Sequence, residues 1–447
     1  MTAPAPTPPA ARRPRITLPF AFVTVVVVGC TVWADAVKYV VTDPADYAYF
    51  PPFVPNENRL TTHHLGAEYL EISFALRAGR GFADPFKEES GPTAWMPPVL
   101  PFFQAAVLWA SDDDFIVLKY VVITLQMLTL VFTGWLVLAG AARVARTRGA
   151  VWVAAAAYVA LLAHDFRHAF QTTHDTWLIM LALDVLALGF ALLPERPAGW
   201  RAAAGWGAVG GGVALCGPVL GLVWAVLTAL RWPGEWRRWA VAVTAAGGIM
   251  LPWAVRNAVV FGRLVPVKSN AFYELYQAQC LTSDGLVGAD AGFPTHPWRT
   301  PGAERDRYIE VGEMAFLDEK RVIFLAAFRR APDDFAVRVW NRLAAATVVY
   351  MPFSKTELAK QTEAQVLFSD VVHPLPFLAL VVLVVAPRRP HRYEWAAACT
   401  YVAWLLPYVV VSYYGRYGFP LLGVKAFLCA AAADRILTGL RGGRRLE

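Results

Sequence analysis

Five long stretches of the chain carry no charged side chain: residues 16–34, 120–142, 202–230, 239–255 and 395–415. Such a run presents no polar face to water, and about 20 residues of it cross a bilayer as a helix. A sixth apolar run, 176–193, is interrupted only by Asp184. A buried charge there is costly and needs a partner or a function. No strand alternation is sustained and no 20–50-residue repeat stands out. The pattern predicts an all-α polytopic membrane protein of about ten transmembrane helices with helical outer elements. Residues 91–98, GPTAWMPP, hold three prolines and a glycine, which exclude a helix or strand interior. The apolar stretch after them is too short to span and reads as a helix lying in the interface. Residues 304–328 show one continuous helical spacing, with Glu and Arg on the face opposite the apolar one. The APDDF that follows breaks it and opens another helix, which Asp333 or Asp334 is placed to cap.

Composition agrees with the pattern. Of 447 residues, 57% are hydrophobic and 17% charged, against about 25% charged in soluble domains. The net charge of +7 comes from arginine clusters that alternate along the chain. Arg12, Arg13 and Arg15 precede the first run; Arg143, Arg146 and Arg148 follow the second; further clusters lie near 196–201, 231–238, 388–392 and the C-terminus. Basic residues concentrate in short cytoplasmic loops. The charge is therefore a topology signal and does not argue for nucleic acid. It predicts cytoplasmic tails at 1–15 and 437–447, a transmembrane domain over 16–436, and outer segments at 36–114 and 257–369. The first run reads as an uncleaved span, VVGC at 27–30 being only loosely like a lipoprotein cleavage site. Four of the five cysteines lie in apolar runs and Cys280 in a polar loop, so no disulfide framework is implied.

Four stretches together resemble the GT-C glycosyltransferases, in particular bacterial family 39-like proteins related to aminoarabinose transferase and protein O-mannosyltransferases. The first is the outer loop, with Glu68 eleven residues before Gly79, the turn GRGFADPF and then GPTAW-M-PP. The second is HDTWL at 174–178, and the third is LPWAVRNAVVFGRLVPVKSNAFYELY at 251–276. The fourth is RYGFP at 416–420, with Gly418 in place of an arginine. Many such proteins open the first outer helix with Asp-Glu, where this chain has Leu65 and Gly66. The resemblance covers about 60–436. It implies a GT-C fold in the inner membrane and transfer, with inversion, from a polyprenyl-phosphate-sugar donor. The acceptor would be a glycan, lipid or protein outside.

That chemistry needs a carboxylate to take the acceptor's proton, cations for the departing phosphate, and apolar walls beside the lipid. Glu68 is the candidate base, with Glu71 one turn along as the alternative. Arg256, Lys268 and Arg416 are the candidate cations; Trp95, Trp253, Tyr273 and Tyr417 are the aromatic candidates. The matched stretches add Asp175, Asn257, Asn270 and Glu274 to the substrate-binding set, and His64 precedes the first outer helix. His63 and His64 with His174 or Asp175 form a candidate divalent-metal set, although no spacing enforces it. Each has a plainer reading. Glu68 suits a helix N-terminus, Arg256 and Arg416 suit snorkelling anchors, Trp95 suits an interface anchor, and Asp112 to Asp114 suit a helix cap.

A transporter or flippase for a lipid-linked saccharide is the second functional class. Gly217-Pro218 and Gly210 to Gly212 would mark broken helices, with Asp184 for coupling. An inactive scaffold is the third, given the missing Asp-Glu. The charge alternation generates a direct test. A single cysteine at position 146 should resist an impermeant thiol reagent in intact cells, and one in 66–114 should react. Strong labelling of Arg146→Cys overturns the orientation.

Overall fold

The computed structural model describes residues 16–41, 66–147, 149–171, 174–193, 199–288, 296–298, 302–352, 361–386 and 389–443. Every described element is helical, apart from isolated bridges such as Ala83 with Pro92. In chain order they are α1 (Thr17–Val41), α2 (Ala67–Arg77), α3 (Val99–Ala110) and α4 (Phe115–Val144). Then come α5 (Gly149–His164), a short wide turn (Arg167–Gln171), α6 (Thr176–Leu192), α7 (Trp200–Cys216), α8 (Pro218–Arg231) and α9 (Trp236–Phe261). Four helices follow: α10 (Ala271–Cys280), α11 (Ala303–Val311), α12 (Glu313–Arg330) and α13 (Pro332–Thr347). The chain closes with α14 (Glu363–Val372), α15 (Leu375–Val385), α16 (Arg392–Val410), a tight turn (Gly415–Leu421) and α17 (Leu422–Gly443).

Among the described residues, three helical stretches are long and apolar enough to cross a membrane by length and composition: Phe115–Val144, Trp236–Phe261 and Glu363–Val385. The sequence pattern anticipates about ten; the other apolar helices, including α5, α6 and α8, are shorter. The bundle's outside is apolar, with Leu18, Val259 and Val385 each more than two-thirds exposed. Continuous exposed apolar surface on this scale requires an apolar surrounding.

Glycine decides the closest helix pair. α7 and α9 run parallel, and Gly207 and Gly211 face Ala242 and Ala246. A Cβ at Gly211 would lie 2.5 Å from the carbonyl oxygen of Ala246, and one at Gly207 would run into that of Ala242. This small-xxx-small spacing lets two backbones touch where no hydrophobic force drives helices together. The Gly210 to Gly212 run is therefore a packing surface inside a continuous helix, not a break. Gly217-Pro218 is the hairpin between α7 and α8, whose antiparallel contact is fixed by Trp206 Nε1 donating to Thr228 Oγ1 at 2.9 Å. Asp184 has its partner in Thr133, whose hydroxyl donates to Oδ2 at 2.6 Å. At the arginine-rich end, Asp434 on α17 accepts from the backbone N–H groups of Arg146 and Thr147 at 3.0 and 2.9 Å. Nearby, the buried Arg435–Glu394 pair at 2.8 Å ties α17 to α16.

Two expected helix starts differ. The single helix anticipated over 304–328 is divided at Gly312, whose φ of 77° favours glycine. Neither Asp333 nor Asp334 caps α13; its N-cap is Ala331, without a side-chain bond, because Pro332 occupies the first helical position. Asp114 does cap α4, accepting from Ile116 N at 2.7 Å and Val117 N at 3.3 Å, while its neighbour Asp113 pairs with Arg77.

The α7–α9 contact is testable in detergent by thermal unfolding. Gly207→Ala should destabilise by about 1–3 kcal/mol through overpacking. Gly212→Ala, whose Cβ would meet nothing within 4 Å, should be neutral or stabilise through helix propensity. Equal midpoints for the two variants would mean that the contact does not matter.

Candidate active site

Among the described outer elements, α2 packs on α3, and α10 and α11 pack on α12. The corner 91–98 is their meeting point. Thr93 Oγ1 and Tyr308 Oη donate to Glu313 Oε2, the second at 2.7 Å. Ala94 N and Ser269 Oγ donate to Glu313 Oε1 at 2.9 and 2.7 Å. Ser269 N also donates to Ala94 O at 2.9 Å. One carboxylate, 4% exposed, thus gathers the corner, the strand-like stretch after α9, and α11. Burial pushes the Glu313 carboxyl above its usual range, and its four donors oppose that shift. The sequence reading set Glu313 on a solvent face. The break at Gly312 turns it inward and places it in the first turn of α12, where the helix dipole favours it.

The preceding loop is a tight hairpin. Gly79, Gly81, Asp84, Lys87, Glu89 and Gly91 all have positive φ. Asp84 holds it shut, accepting from Gly91 N at 2.9 Å and from Arg80 Nε at 2.8 Å. Arg256 is committed to this region: it donates to Thr93 O and Phe82 O, both at 2.6 Å, and to Asn257 Oδ1 at 2.9 Å. Asn257, fully buried, passes its amide to Val265 O at 2.8 Å. Trp253 Nε1 donates to Val267 O at 2.8 Å. Trp95 is 1% exposed and packs among Phe86, Tyr273, Tyr308 and Phe316. The expectations for Arg256, Asn257, Trp253 and Trp95 as ligand-facing groups thus meet side chains occupied by the fold. For Arg256 the cause is the hairpin and corner, whose buried Phe82 and Thr93 carbonyls accept from its guanidinium.

A different set of polar side chains, most of them half-buried, converges, and the space they border is the candidate cleft. Glu68 lies in the first turn of α2, after Gly66 with φ 76°. Burial raises the pKa of its carboxyl and Asp175 adds to that, while a backbone hydrogen bond, Arg416 and Lys268 pull against it. Tyr69 Oη donates to Asp175 Oδ2 at 2.9 Å, fixing that carboxylate at the start of α6. Lys268 is lowered by burial, against the pull of Glu274, Asp175 and Glu68. Asn270, 2% exposed, donates to Glu274 Oε1 at 3.3 Å. Tyr417 hydrogen-bonds with Arg416 and stacks on Tyr408 with ring centroids 4.1 Å apart. Glu68, Asp175, Lys268, Asn270, Glu274, Arg416 and Tyr417 therefore come together from four separate parts of the chain. Glu71 does not join them; its charge acts on Lys87. His64 and His63 lie outside the described residues, and with them the metal set. Among the described residues no group of three His, Cys, Asp or Glu is placed to hold a metal.

The sequence reading missed His296 and Tyr414. His296 Nε2 lies 3.6 Å from Glu68 Oε1. Burial lowers its pKa to about 4, so it is neutral at pH 7 and meets Glu68 as a polar contact rather than an ion. Its signal is a lone His in a polar outer segment, indistinguishable by pattern from a solvated residue. Tyr414 Oη donates to Gln277 Oε1 at 3.2 Å, linking the Arg416 turn to α10.

Among known proteins, no family matches the chain, and neither does any curated protein. Among solved structures, the crystal structure of ArnT from Cupriavidus metallidurans bound to undecaprenyl phosphate is similar. It is 16% identical, with 94% of this chain and 78% of that chain covered, at a TM-score of 0.38. A likeness of that size places no residue, and nothing below rests on it.

Removing the corner's carboxylate should be felt as stability. Glu313→Ala leaves Thr93, Ser269 and Tyr308 without their acceptor and should cost about 2–4 kcal/mol, since a buried unsatisfied group costs about 1–3 kcal/mol. Arg256→Ala should lower the thermal midpoint in the same way. A wild-type midpoint for Arg256→Ala, with a changed response to a phosphate-bearing lipid, would instead make it a ligand residue.

Proposed function

We propose that this protein is a membrane glycosyltransferase that moves a sugar from a polyprenyl-phosphate donor to an acceptor. The observation that carries the reading is the cleft itself. A carboxylate with a raised pKa, Glu68, stands among two cations, Lys268 and Arg416, where apolar helices α6 and α17 begin. A lipid-linked sugar presents its tail to such helices and its phosphate at their ends. Lys268 and Arg416 hold the phosphate and take up charge as it leaves. Glu68 accepts the proton of the acceptor hydroxyl as its oxygen attacks the anomeric carbon from the face opposite the phosphate, with inversion. Tyr69 holds Asp175 in place, and Tyr417 orients Arg416. Ten spans are formed by α1, α4 to α9, the α14–α15 pair acting as one, α16 and α17. With the arginine clusters inside, the cleft opens on the outer face of a bacterial inner membrane.

The flippase reading loses its sequence support. Its expected breaks are a packing surface and a hairpin, and Asp184 is partnered by Thr133.

The test is sugar transfer from a polyprenyl-phosphate sugar by purified protein. Glu68→Gln should lose about a hundred- to ten-thousandfold in rate, and Glu71→Gln should not. Full activity in Glu68→Gln removes it as the base. The pH profile tests the electrostatics with definite signs. Glu68 works deprotonated, so activity falls as pH drops through a pKa above the ordinary 4.5. Asp175→Asn should move that limb to lower pH, and Arg416→Met to higher pH with a raised donor KM. Lys268 works protonated, so a basic limb should appear below 10.5. Limbs that ignore both variants would exclude Glu68.

A further inference from the structure

A second cavity, of about 860 Å³, lies apart from the Glu68 cleft. The Gly415–Leu421 turn divides them: Gly415 and Gly418 line the cavity, whereas Arg416 and Tyr417 serve the cleft. None of Glu68, Asp175, Lys268 or Glu274 lines the cavity. Its volume is within the range of about 300–1,000 Å³ found for ligand pockets.

Its polar wall is built and buried. Lys425 and Asp165 are 7% and 9% exposed, with Lys425 Nζ 4.0 Å from Asp165 Oδ2. That distance is an ion pair without a hydrogen bond. Among the described residues, Asp165 Oδ2 and Gln361 Oε1 accept no hydrogen bond, and His164 Nδ1 is also buried without a partner. Arg167, His168 and His373 line the same space, and the charge of Lys425 bears on Asp165. Tyr350 adds an aromatic face and stands edge-on to His164 with ring centroids 5.2 Å apart. Buried polar groups left unanswered are costly, so this wall asks for a ligand that both donates and accepts.

A hydroxyl does both. One hydroxyl donates to Asp165 Oδ2 and accepts from Lys425, and a second hydroxyl of the same ligand donates to Gln361 Oε1. A phosphate brings negative charge against Asp165, and a phosphodiester has no O–H to donate to either oxygen. An apolar chain answers none of them. We infer that this cavity is a second ligand site, for an uncharged polyhydroxyl group of the saccharide class, held by Asp165, Gln361 and Lys425. The site does not depend on the role given to Glu68.

Saturation-transfer NMR on the full chain in lipid nanodiscs tests it. The probes are neutral monosaccharides (glucose, mannose, galactose and arabinose), with inorganic phosphate as competitor. At least one sugar should receive saturation from wild type, and phosphate should not displace it. Asp165→Asn and Gln361→Leu should each weaken binding about tenfold, equivalent to about 1.4 kcal/mol. Gln361 is half-buried, so its variant keeps the test open if Asp165→Asn fails to fold. Glu68→Gln should keep the signal whatever happens to transfer, which separates this site from the cleft. No transfer to any sugar at its highest soluble concentration overturns the proposal. So does displacement by phosphate, or a signal unchanged in Gln361→Leu but lost in Glu68→Gln.

Discussion

The loop end of this protein depends on one buried carboxylate. Taking a charge out of water costs several kcal/mol even after relaxation, and only a full set of donors offsets it. Glu313 finds four, from Thr93, Ala94, Ser269 and Tyr308. Because those donors come from three separate segments, satisfying one side chain fixes the relative placement of all three. Ser269 is the residue after Lys268, so the bond that completes the hub also sets where that cation stands. The corner 91–98 in turn leads directly into α3, whose Trp109 is left 72% exposed. The rigidity of GPTAWMPP has its use here: a proline-bound corner presents fixed N–H and C=O groups to Glu313 and Arg256 without an entropy cost on ordering.

The arginines divide their work according to what surrounds them. Arg256 faces backbone carbonyls of a strained hairpin, and its forked donors suit that task. Arg416 faces side chains that ionise: Asp175, Glu68 and the phenol of Tyr417. Both follow apolar helical sequence, and either would serve as an anchor at a lipid interface. The distinction lies in whether the opposing groups are fixed dipoles of the fold or charges of a cleft. Glu68 and His296 show the same rule. Both are moved by burial toward their neutral forms; Arg416 and Lys268 oppose that shift at the carboxylate, and Glu274 and Glu304 oppose it at the imidazole.

Helix packing supports the division between scaffold and site. α7 and α9 touch through glycine, and α8 returns against α7 through tryptophan and threonine, so this part of the bundle has no interrupted helix at mid-depth. Irregular turns do occur at Arg167–Gln171 and Gly415–Leu421. In an apolar surrounding, such backbone is tolerated only where protein or a cavity covers it. Both turns adjoin the second cavity, and the latter also borders the cleft.

The sequence by itself determined the helical class, because an uncharged run has one stable solution in lipid. It determined the cap at Asp114, the turn after α2 and the interfacial length of α3, because proline, glycine and short acids act locally. It also singled out most members of the cleft: Glu68, Asp175, Lys268, Asn270, Glu274, Arg416 and Tyr417. What the tertiary structure decided is which residues of one matched stretch face inward to the fold and which face the cleft. Asn257 and Asn270 both lie in the stretch 251–276, yet one bridges Arg256 to Val265 and the other supports Glu274. Glu313 fitted a solvent face until Gly312 broke the helix and rotated it into the core. His296 carried no pattern at all. Spacing reports the period of a helix, but the partner of a buried polar group comes from a distant segment, and that pairing exists only once the chain has folded.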